Sequence, residues 1–213
     1  WVSDIPVLLV NFLKIYFIKK FVVLTALVFF SCFKVFSQHD STTVESRLEA
    51  YFQATQKKDW NRVMEMINPK IFSFSPKELM IQLYSQMESD AGMEMNFTEM
   101  EILDIKKGLD WSDTTYVPVD YKMTLLIHLN PSRYQDQEVL NSMLTGFELA
   151  YSGQEIAFDR EQLSFTIKVK NTLIASSKLD SNLWHFGDYK PTDPMTKLIF
   201  PTEILKKLEQ GWN

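Results

Sequence analysis

The sequence predicts an α+β fold in which N-terminal helices pack on a strongly curved antiparallel sheet. Apolar residues recur at helical spacing as far as Met87, and the period changes to alternation after Gly92. Within the first alternating run, Met100 is out of phase with Met93, which indicates a β-bulge and therefore a bent strand. Helices followed by bending, alternating strands are typical of a sheet wrapped over helices.

The first two helices are marked by caps and by apolar stripes. Thr42 and Glu45 form a capping box at the start of the first helix. Asp59 can cap the second helix, and Asn68-Pro69 ends it because proline lacks an amide donor. The residues that we expect these two helices to bury are Val44, Leu48, Tyr51, Phe52, Thr55, Trp60, Val63, Met64 and Ile67.

A third helix is predicted to begin at Ser75-Pro76, where an N-cap residue is followed by a proline at the first helical position. The apolar residues Leu79, Leu83 and Met87 then recur at helical spacing, and we expect them to point inward. Because the period changes after Gly92, this helix is the last element before the sheet.

Alternating residues mark the strands of the sheet. We place the bulge of the first strand near Thr98 and Glu99. A second strand runs from Val119 to Leu129, with one buried and one solvated face. A later strand buries one face made of Phe165, Ile167, Val169, Leu173 and Ala175. A final aromatic strand spans residues 183 to 189.

Two further helices accompany these strands. An amphipathic helix between Glu138 and Tyr151 is predicted to end near Gly153, where a positive φ suits glycine. A short helix over residues 202 to 208 follows Pro201 and belongs to a C-terminal tail. We therefore expect one α+β domain over residues 38 to 213, with an inserted helix and a helical tail.

The first 37 residues have the pattern of a leader. Lys19 and Lys20 precede an apolar run from Phe21 to Phe36, and Ser37 follows, which is the order of a secretory signal peptide. We interpret residues 1 to 37 as an upstream segment plus a signal peptide and expect an exported protein, periplasmic or secreted. The alternatives are a membrane anchor, which the short apolar runs disfavour, and lipidation at Cys32.

Charge and cysteine content exclude several classes of function. The leader carries a net charge of +3 and the whole chain −5, so the remainder carries −8. An acidic surface of that kind repels phosphate backbones, so we expect no nucleic-acid partner. Cys32 is the only cysteine and lies in the leader, so the mature domain would have no disulfide and no thiol nucleophile.

Two parts of the chain resemble one superfamily. The segment from Ala50 through Asp59-Trp60 to Pro69 resembles the opening helices of the nuclear-transport-factor-two-like superfamily, and the segment Leu183 to Phe186 resembles its last strand. The resemblance implies a cone of helices and curved sheet whose mouth can hold a ligand. The inserted helix and the tail from residue 190 to 213 depart from that pattern.

We expect five residues to line such a cone. They are Tyr51, Tyr121, Met123, Asn171 and Trp184. The resemblance includes ketosteroid-isomerase-like enzymes, whose catalysis needs a carboxylate base inside the cone, and no carboxylate clearly joins Tyr121 in the sequence. Asn171 takes an inward position between apolar residues, so its amide must bond either to the protein or to a ligand.

Neither a metal nor a cofactor is predicted. His128 and His185 have no second histidine or carboxylate at the spacing of metal ligands. The methionines Met93, Met95 and Met100 could bind monovalent copper, but methionines also fill irregular gaps in a core, which we favour here.

These observations favour an exported, non-catalytic domain that binds a small apolar ligand or an envelope partner. One alternative is an isomerase- or cyclase-like enzyme that uses Tyr121, Asn171 and His185 around the cone. Another is a purely structural or interaction protein, and a homodimer would follow if the apolar tail residues were exposed. Those tail residues are Ile199, Phe200, Ile204, Leu205 and Leu208.

Overall fold

The computed structural model describes residues 43–89 and 92–212, and the side chains of residues 88 and 89 are not described. The helices are α1 (Val44–Gln56), α2 (Trp60–Met64), a 3-10 helix (Pro69–Ser73), α3 (Lys77–Ser89), α4 (Gln137–Ala150), α5 (Pro194–Ile199) and α6 (Thr202–Glu209). The strands are β1 (Met93–Ile105), β2 (Leu109–Trp111), β3 (Thr114–Leu129), β4 (Glu155–Asp159), β5 (Ser164–Lys178) and β6 (His185–Tyr189). The α+β class is confirmed. The leader, Cys32 and the predicted boundary at residue 37 lie outside the described residues.

Within the described part of the chain, six strands form one antiparallel sheet with β3 and β5 at its centre. β1 pairs with most of β3, and the short β2 pairs with the first residues of β3. β5 pairs with β3 along nearly its whole length on one side, and on the other side with β4 at its start and β6 near its end. These long central strands carry the inner face of the main core.

The N-terminal helices begin at the kinds of residue that the sequence indicates. Thr43, not Thr42, is the N-cap of α1, and its hydroxyl accepts from the Ser46 amide at 3.1 Å. Asp59 caps α2 as predicted, and Asn68 caps the 3-10 helix through its side-chain oxygen. The N-terminal residues of the main core, which pack against β3, β5 and β6, are Leu48, Phe52, Ala54, Trp60, Val63 and Met64 of the helices and Met66 of the turn after α2.

The predicted inward face of α3 is wrong at two of its three residues, since of Leu79, Leu83 and Met87 only Met87 packs against a buried hydrophobic cluster. Leu79 and Leu83 are each 56% exposed, whereas Met80 and Tyr84 pack against the main core. Neighbouring positions on a helix differ by roughly 100° around its axis, and apolar residues occupy both candidate stripes. The ring of Trp60 selects the second stripe, because it stacks on Tyr84 with centroids 4.7 Å apart.

The bulge predicted in the first strand is confirmed. The pairing of β1 with β3 shifts between Thr98 and Glu101, and Glu99 has a φ of 51°. A second irregularity follows between Ile102 and Asp104. Because each bulge changes the facing of the residues after it, Phe97 and Met100 both pack against the main core.

The inserted helix and the tail both pack on this chain's own sheet. α4 covers a second hydrophobic cluster, where Phe147 meets Phe165 edge to face with ring centroids 4.9 Å apart. The tail forms a third cluster with Ile174 and Tyr116 of the sheet. Its buried members are Ile199, Phe200, Ile204 and Leu205. The condition under which the tail would indicate a homodimer, an exposed apolar patch at these residues, is therefore not met.

Candidate functional site

A cavity of about 340 Å³ lies between the N-terminal helices, the sheet and α5. Its apolar and aromatic walls come from Tyr51, Trp60, Val63, Ile67, Ile71, Met80, Tyr84, Phe97, Met100, Tyr121, Met123, Leu173, Phe186, Met195 and Ile199. Its polar wall residues include Thr55, Asp188, Asp193 and Thr196. A mostly apolar cavity with few polar groups is typical of small-molecule binding sites, and this volume lies at the lower end of their range of roughly 300–1,000 Å³.

Asp188 is the central polar group of this cavity. It lies on β6 opposite Leu173 of β5, and it shares its strand face with Phe186, two residues earlier. It lines the cavity beside apolar walls, but the residue is exposed to solvent, so water reaches the carboxylate. One carboxylate oxygen, Oδ1, accepts a hydrogen bond of 3.1 Å from the Tyr121 hydroxyl.

Backbone bonds from the N-terminal segment hold β6 in this position. The Phe186 amide donates to the Met66 carbonyl at 2.7 Å, and the Asn68 amide donates to the Phe186 carbonyl at 2.8 Å. The Asn68 side chain, itself buried, donates to the Ser176 hydroxyl on β5 at 3.2 Å. The strand that carries Asp188 is thus fixed both to β5 and to the helical segment.

The electrostatics of the Asp188–Tyr121 pair follow from its enclosure. Burial is the largest effect on Asp188 and raises the pKa of its carboxyl, with the hydrogen bond from Tyr121 and the charge of Lys190 opposing that rise. Burial also raises the pKa of Tyr121 well above its ordinary value, and the nearby charge of Asp188 adds to the effect. The tyrosine therefore stays neutral and acts as the donor of the pair.

Two more tyrosines surround the carboxylate. Tyr51 packs against Phe186 with ring centroids 5.5 Å apart, and Tyr84 stacks on Trp60. Burial raises the pKa of each hydroxyl, and the charge of Asp188 contributes to both rises. Among the described residues, neither hydroxyl has a side-chain hydrogen-bond partner, so both are available to a molecule in the cavity.

The structure brings three of the five predicted site residues together. Tyr51, Tyr121 and Met123 line the cavity. Asn171 pairs directly with Tyr121 across the strands, and its amide favours the ionised form of that tyrosine, which opposes the rise in its pKa. Trp184 packs against the main core and does not line the cavity.

Sequence reasoning missed the carboxylate and one tyrosine of the site. The prediction that no carboxylate joins Tyr121 is wrong, because Asp188 bonds to it directly. A signal was present: Phe186 and Asp188 lie two residues apart on a strand and must share a face. Tyr84 was missed because the wrong stripe of α3 was assigned to the core.

His185, the third residue of the alternative enzyme hypothesis, does not line the cavity. It is half-buried, and burial together with the charge of Arg47 lowers the pKa of its imidazole. Within residues 43–89 and 92–212, no group of three or more histidine, cysteine, aspartate or glutamate side chains is placed to hold a metal ion. In that same part of the chain, no helix combines the length and the apolar character needed to cross a bilayer.

Neither the protein-family models nor the curated proteins compared with this chain give a match. The resemblance to the nuclear-transport-factor-two-like superfamily therefore stays a prediction that rests on the sequence segments quoted above. What the site can do has to be argued from its own residues.

Proposed function

We propose that this protein binds a small, largely apolar ligand in the cavity around Asp188. The observation that carries the proposal is a water-accessible, mostly apolar cavity in which the Asp188 carboxylate accepts a single hydrogen bond from the described side chains. A protein that needed this space only for its core would fill it with side chains, because interiors are normally close-packed. A carboxylate in such surroundings costs stability, which favours a functional reason for its presence.

The proposal includes the finer architecture and the location of the protein. We propose that the helices and the bulged sheet form a cone of the nuclear-transport-factor-two-like kind, with the cavity in its interior. The bulge after Thr98 supports this, since bulges bend a strand and increase its twist. The leader pattern of residues 1 to 37 supports export, and a ligand taken up outside the cytoplasm would suit a thiol-free domain.

Binding is favoured over catalysis by the way the polar groups are arranged. The Tyr121 hydroxyl donates a hydrogen bond to Asp188, so the two groups are paired with each other. A general base and an oxyanion donor would instead both point at one reacting atom. Most of the remaining wall residues are hydrocarbon, aromatic or thioether side chains, which contribute affinity for an apolar body.

Methionine methyl groups offer a direct test, since they sit on the cavity walls. We would label the methionine methyls with ¹³C, titrate the protein with 3-phenylpropanol and follow the resonances. The cavity methionines are Met80, Met100, Met123 and Met195. Met95 and Met143 of the second cluster serve as internal controls. We expect saturable shifts of the cavity methyls alone; shifts spread equally over both groups, or no shifts, contradict the proposal.

A second candidate function is proton transfer on an apolar carbonyl compound. The observation that favours it is the same carboxylate in a water-accessible cavity, 3.1 Å from a tyrosine hydroxyl, since a carboxylate can abstract a proton and a hydroxyl can stabilise the resulting enolate. The test is deuterium exchange at the α-carbon of 4-phenylbutan-2-one in heavy water. The enzyme hypothesis requires exchange that Asp188→Asn abolishes, and it is wrong if the wild-type protein gives only the buffer rate.

A further inference from the structure

We infer that the ligand of this cavity is an organic cation, a compact amine with an apolar body, whose charged nitrogen pairs with Asp188. This inference rests on the proposed function, because it adds the chemical class of the ligand to a cavity already proposed to bind one. Three independent features of the described residues carry it: the sign of the charge in the cavity, the unused capacity of the carboxylate, and the aromatic walls.

The charge in the cavity is negative and lacks a basic partner. Asp188 and Asp193 are both wall residues, and the described part of the chain contributes no lysine, arginine or histidine to the walls. Also among the described residues, no basic side chain lies within ion-pair distance of Asp188. The positive charge of Lys190 acts on Asp188 from a distance, and the Lys190 Nζ lies 5.8 Å from the centroid of the Tyr151 ring. An anionic ligand would be repelled here, whereas a cation would neutralise the site.

Of the two wall carboxylates, Asp188 is the one with unused hydrogen-bond acceptor positions. Asp193 already caps α5, where its Oδ1 accepts from the Met195 amide at 2.9 Å. From the described side chains, Asp188 accepts only the bond from Tyr121, although the two oxygens of an ionised carboxylate offer about four acceptor positions. An ammonium group brings two or three donors together with a full charge. Hydrogen bonds to a charged group are roughly twice as strong as neutral ones.

The walls suit a cation better than they suit a neutral polar group. Six aromatic side chains face the cavity: Tyr51, Trp60, Tyr84, Phe97, Tyr121 and Phe186. The faces of such rings attract cations, and organic ammonium ions bound in aromatic cages use this attraction. The hydroxyls of Tyr51 and Tyr84 can accept from N–H groups that do not reach Asp188.

The same walls suit calcium or magnesium poorly as the occupant. Each of these ions needs six or more oxygen ligands or retained waters, and hydrocarbon and thioether groups dominate this cavity. An organic cation instead carries an apolar body that those groups can cover. A volume of about 340 Å³ restricts that body to a compact molecule.

Three compounds with the same apolar body and different charge test the inference. They are 3-phenylpropylamine, 3-phenylpropanol and 3-phenylpropanoate, which are cationic, neutral and anionic at neutral pH. We expect the amine to bind wild-type protein at least about tenfold more tightly than the alcohol, and the carboxylate to bind most weakly. In Asp188→Asn, the amine should lose its advantage while the affinity for the alcohol stays within about twofold.

Asp180→Asn is the matched control, because it removes the same charge from an exposed turn outside the cavity. That variant should keep the preference for the amine. The inference is overturned if the alcohol binds wild-type protein as tightly as the amine does, or if Asp188→Asn keeps the preference; cavity binding itself survives both results. If none of the three compounds binds, the proposed function fails together with the inference. The comparison of the three compounds on wild-type protein tests the inference even if a variant does not fold.

Discussion

At the scale of single residues, Asp188 is the position where this protein departs from what stability alone would select. Its carboxylate lies against aromatic and aliphatic cavity walls although the residue is exposed to solvent, and among the described side chains it has one hydrogen-bond donor, Tyr121. An asparagine or a leucine there would avoid the cost of placing a charge beside apolar walls. Residues of this kind, with a pKa moved by burial inside a cavity, are concentrated at functional sites.

We predict that Asp188→Asn stabilises the ligand-free protein at neutral pH. Burial raises the pKa of Asp188 in the folded state, so ionisation is easier in the unfolded chain. The free energy of unfolding therefore falls as the pH rises from the unfolded-state pKa to the folded-state pKa, and it stays lowered above that window. Below the ordinary range of an aspartate both states hold the proton, and wild type and variant should unfold at the same temperature. Because water reaches the carboxylate, screening reduces the effect.

The measurement is the difference in thermal midpoint between variant and wild type across a pH series, with Asp180→Asn as the control. Because the two proteins share all other carboxyls, the titration of those groups does not contribute to this difference. The groups that face Asp188 and could modulate it are Tyr121, Lys190 and Asp193. A variant that is less stable than wild type at neutral pH, by a difference that does not change with pH, contradicts the prediction.

The residues of the site differ in how far the sequence alone indicates them. Tyr51 and Tyr121 follow from periodicity, since each occupies the inward phase of a strongly patterned element. Asp188 obeys the same period as Phe186, but a charged residue on an inward face goes against the composition of a core, and a single sequence gives no reason to accept it. Only the pairing of β6 with β5 places it beside Tyr121.

At the scale of elements, strand geometry was easier to predict than the rotation of a helix. The bulge at Thr98 was visible because a period of two changes phase abruptly when one residue is inserted. α3 carries two adjacent apolar stripes, one with Leu83 and one with Tyr84. Since both give a helical period, the choice between them depends on a contact with α2 that lies outside the pattern.

We predict that Tyr84→Ala destabilises the protein by about 2–3 kcal/mol. The tyrosine is half-buried and stacks on Trp60 at 4.7 Å, and both rings line the cavity. Leu83→Ala is the matched control on the same helix: its side chain is 56% exposed, and its loss should cost less than about 1 kcal/mol. Urea unfolding measures both. If Leu83→Ala lowered the free energy of unfolding more than Tyr84→Ala does, the face of α3 that carries Leu83, which the sequence indicates, would be the one that packs on the core.

The C-terminal tail allows a similar comparison. Ile204 on α6 is fully buried and packs in the cluster that contains Ile174 of the sheet, whereas Leu198 on α5 is 53% exposed. We predict a loss of about 2–4 kcal/mol for Ile204→Ala and less than about 1 kcal/mol for Leu198→Ala, measured by urea unfolding. Equal effects would mean that the tail does not pack on the sheet as described here.

At the scale of the whole molecule, the cavity depends on elements that lie far apart in the sequence, so no local sequence pattern indicates it. Its walls come from α1, α2, the 3-10 helix, α3, four strands and α5. Periodicity identifies inward faces, but it cannot say whether opposing faces meet or leave a space between them. That depends on side-chain volumes summed over elements far apart in sequence, which is why the fold class could be predicted and the cavity could not.

Filling the cavity should separate its role in binding from its role in stability. Met100 lies on the cavity wall directly after the bulged residue Glu99. We predict that Met100→Phe keeps or raises the unfolding temperature, because the added ring has space to occupy. The same variant should bind 3-phenylpropanol at least about fivefold more weakly, which corresponds to roughly 1 kcal/mol.

Met143→Phe is the control for this change, since Met143 is a half-buried methionine of the second cluster and lies outside the cavity. Isothermal titration and thermal unfolding of both variants give the two quantities. Stability retained with affinity lost in Met100→Phe alone means that the space is kept open for a ligand at a cost in packing. Undiminished binding in that variant, with binding lost in Met143→Phe, would move the ligand to the α4 side of the sheet and contradict the proposed site.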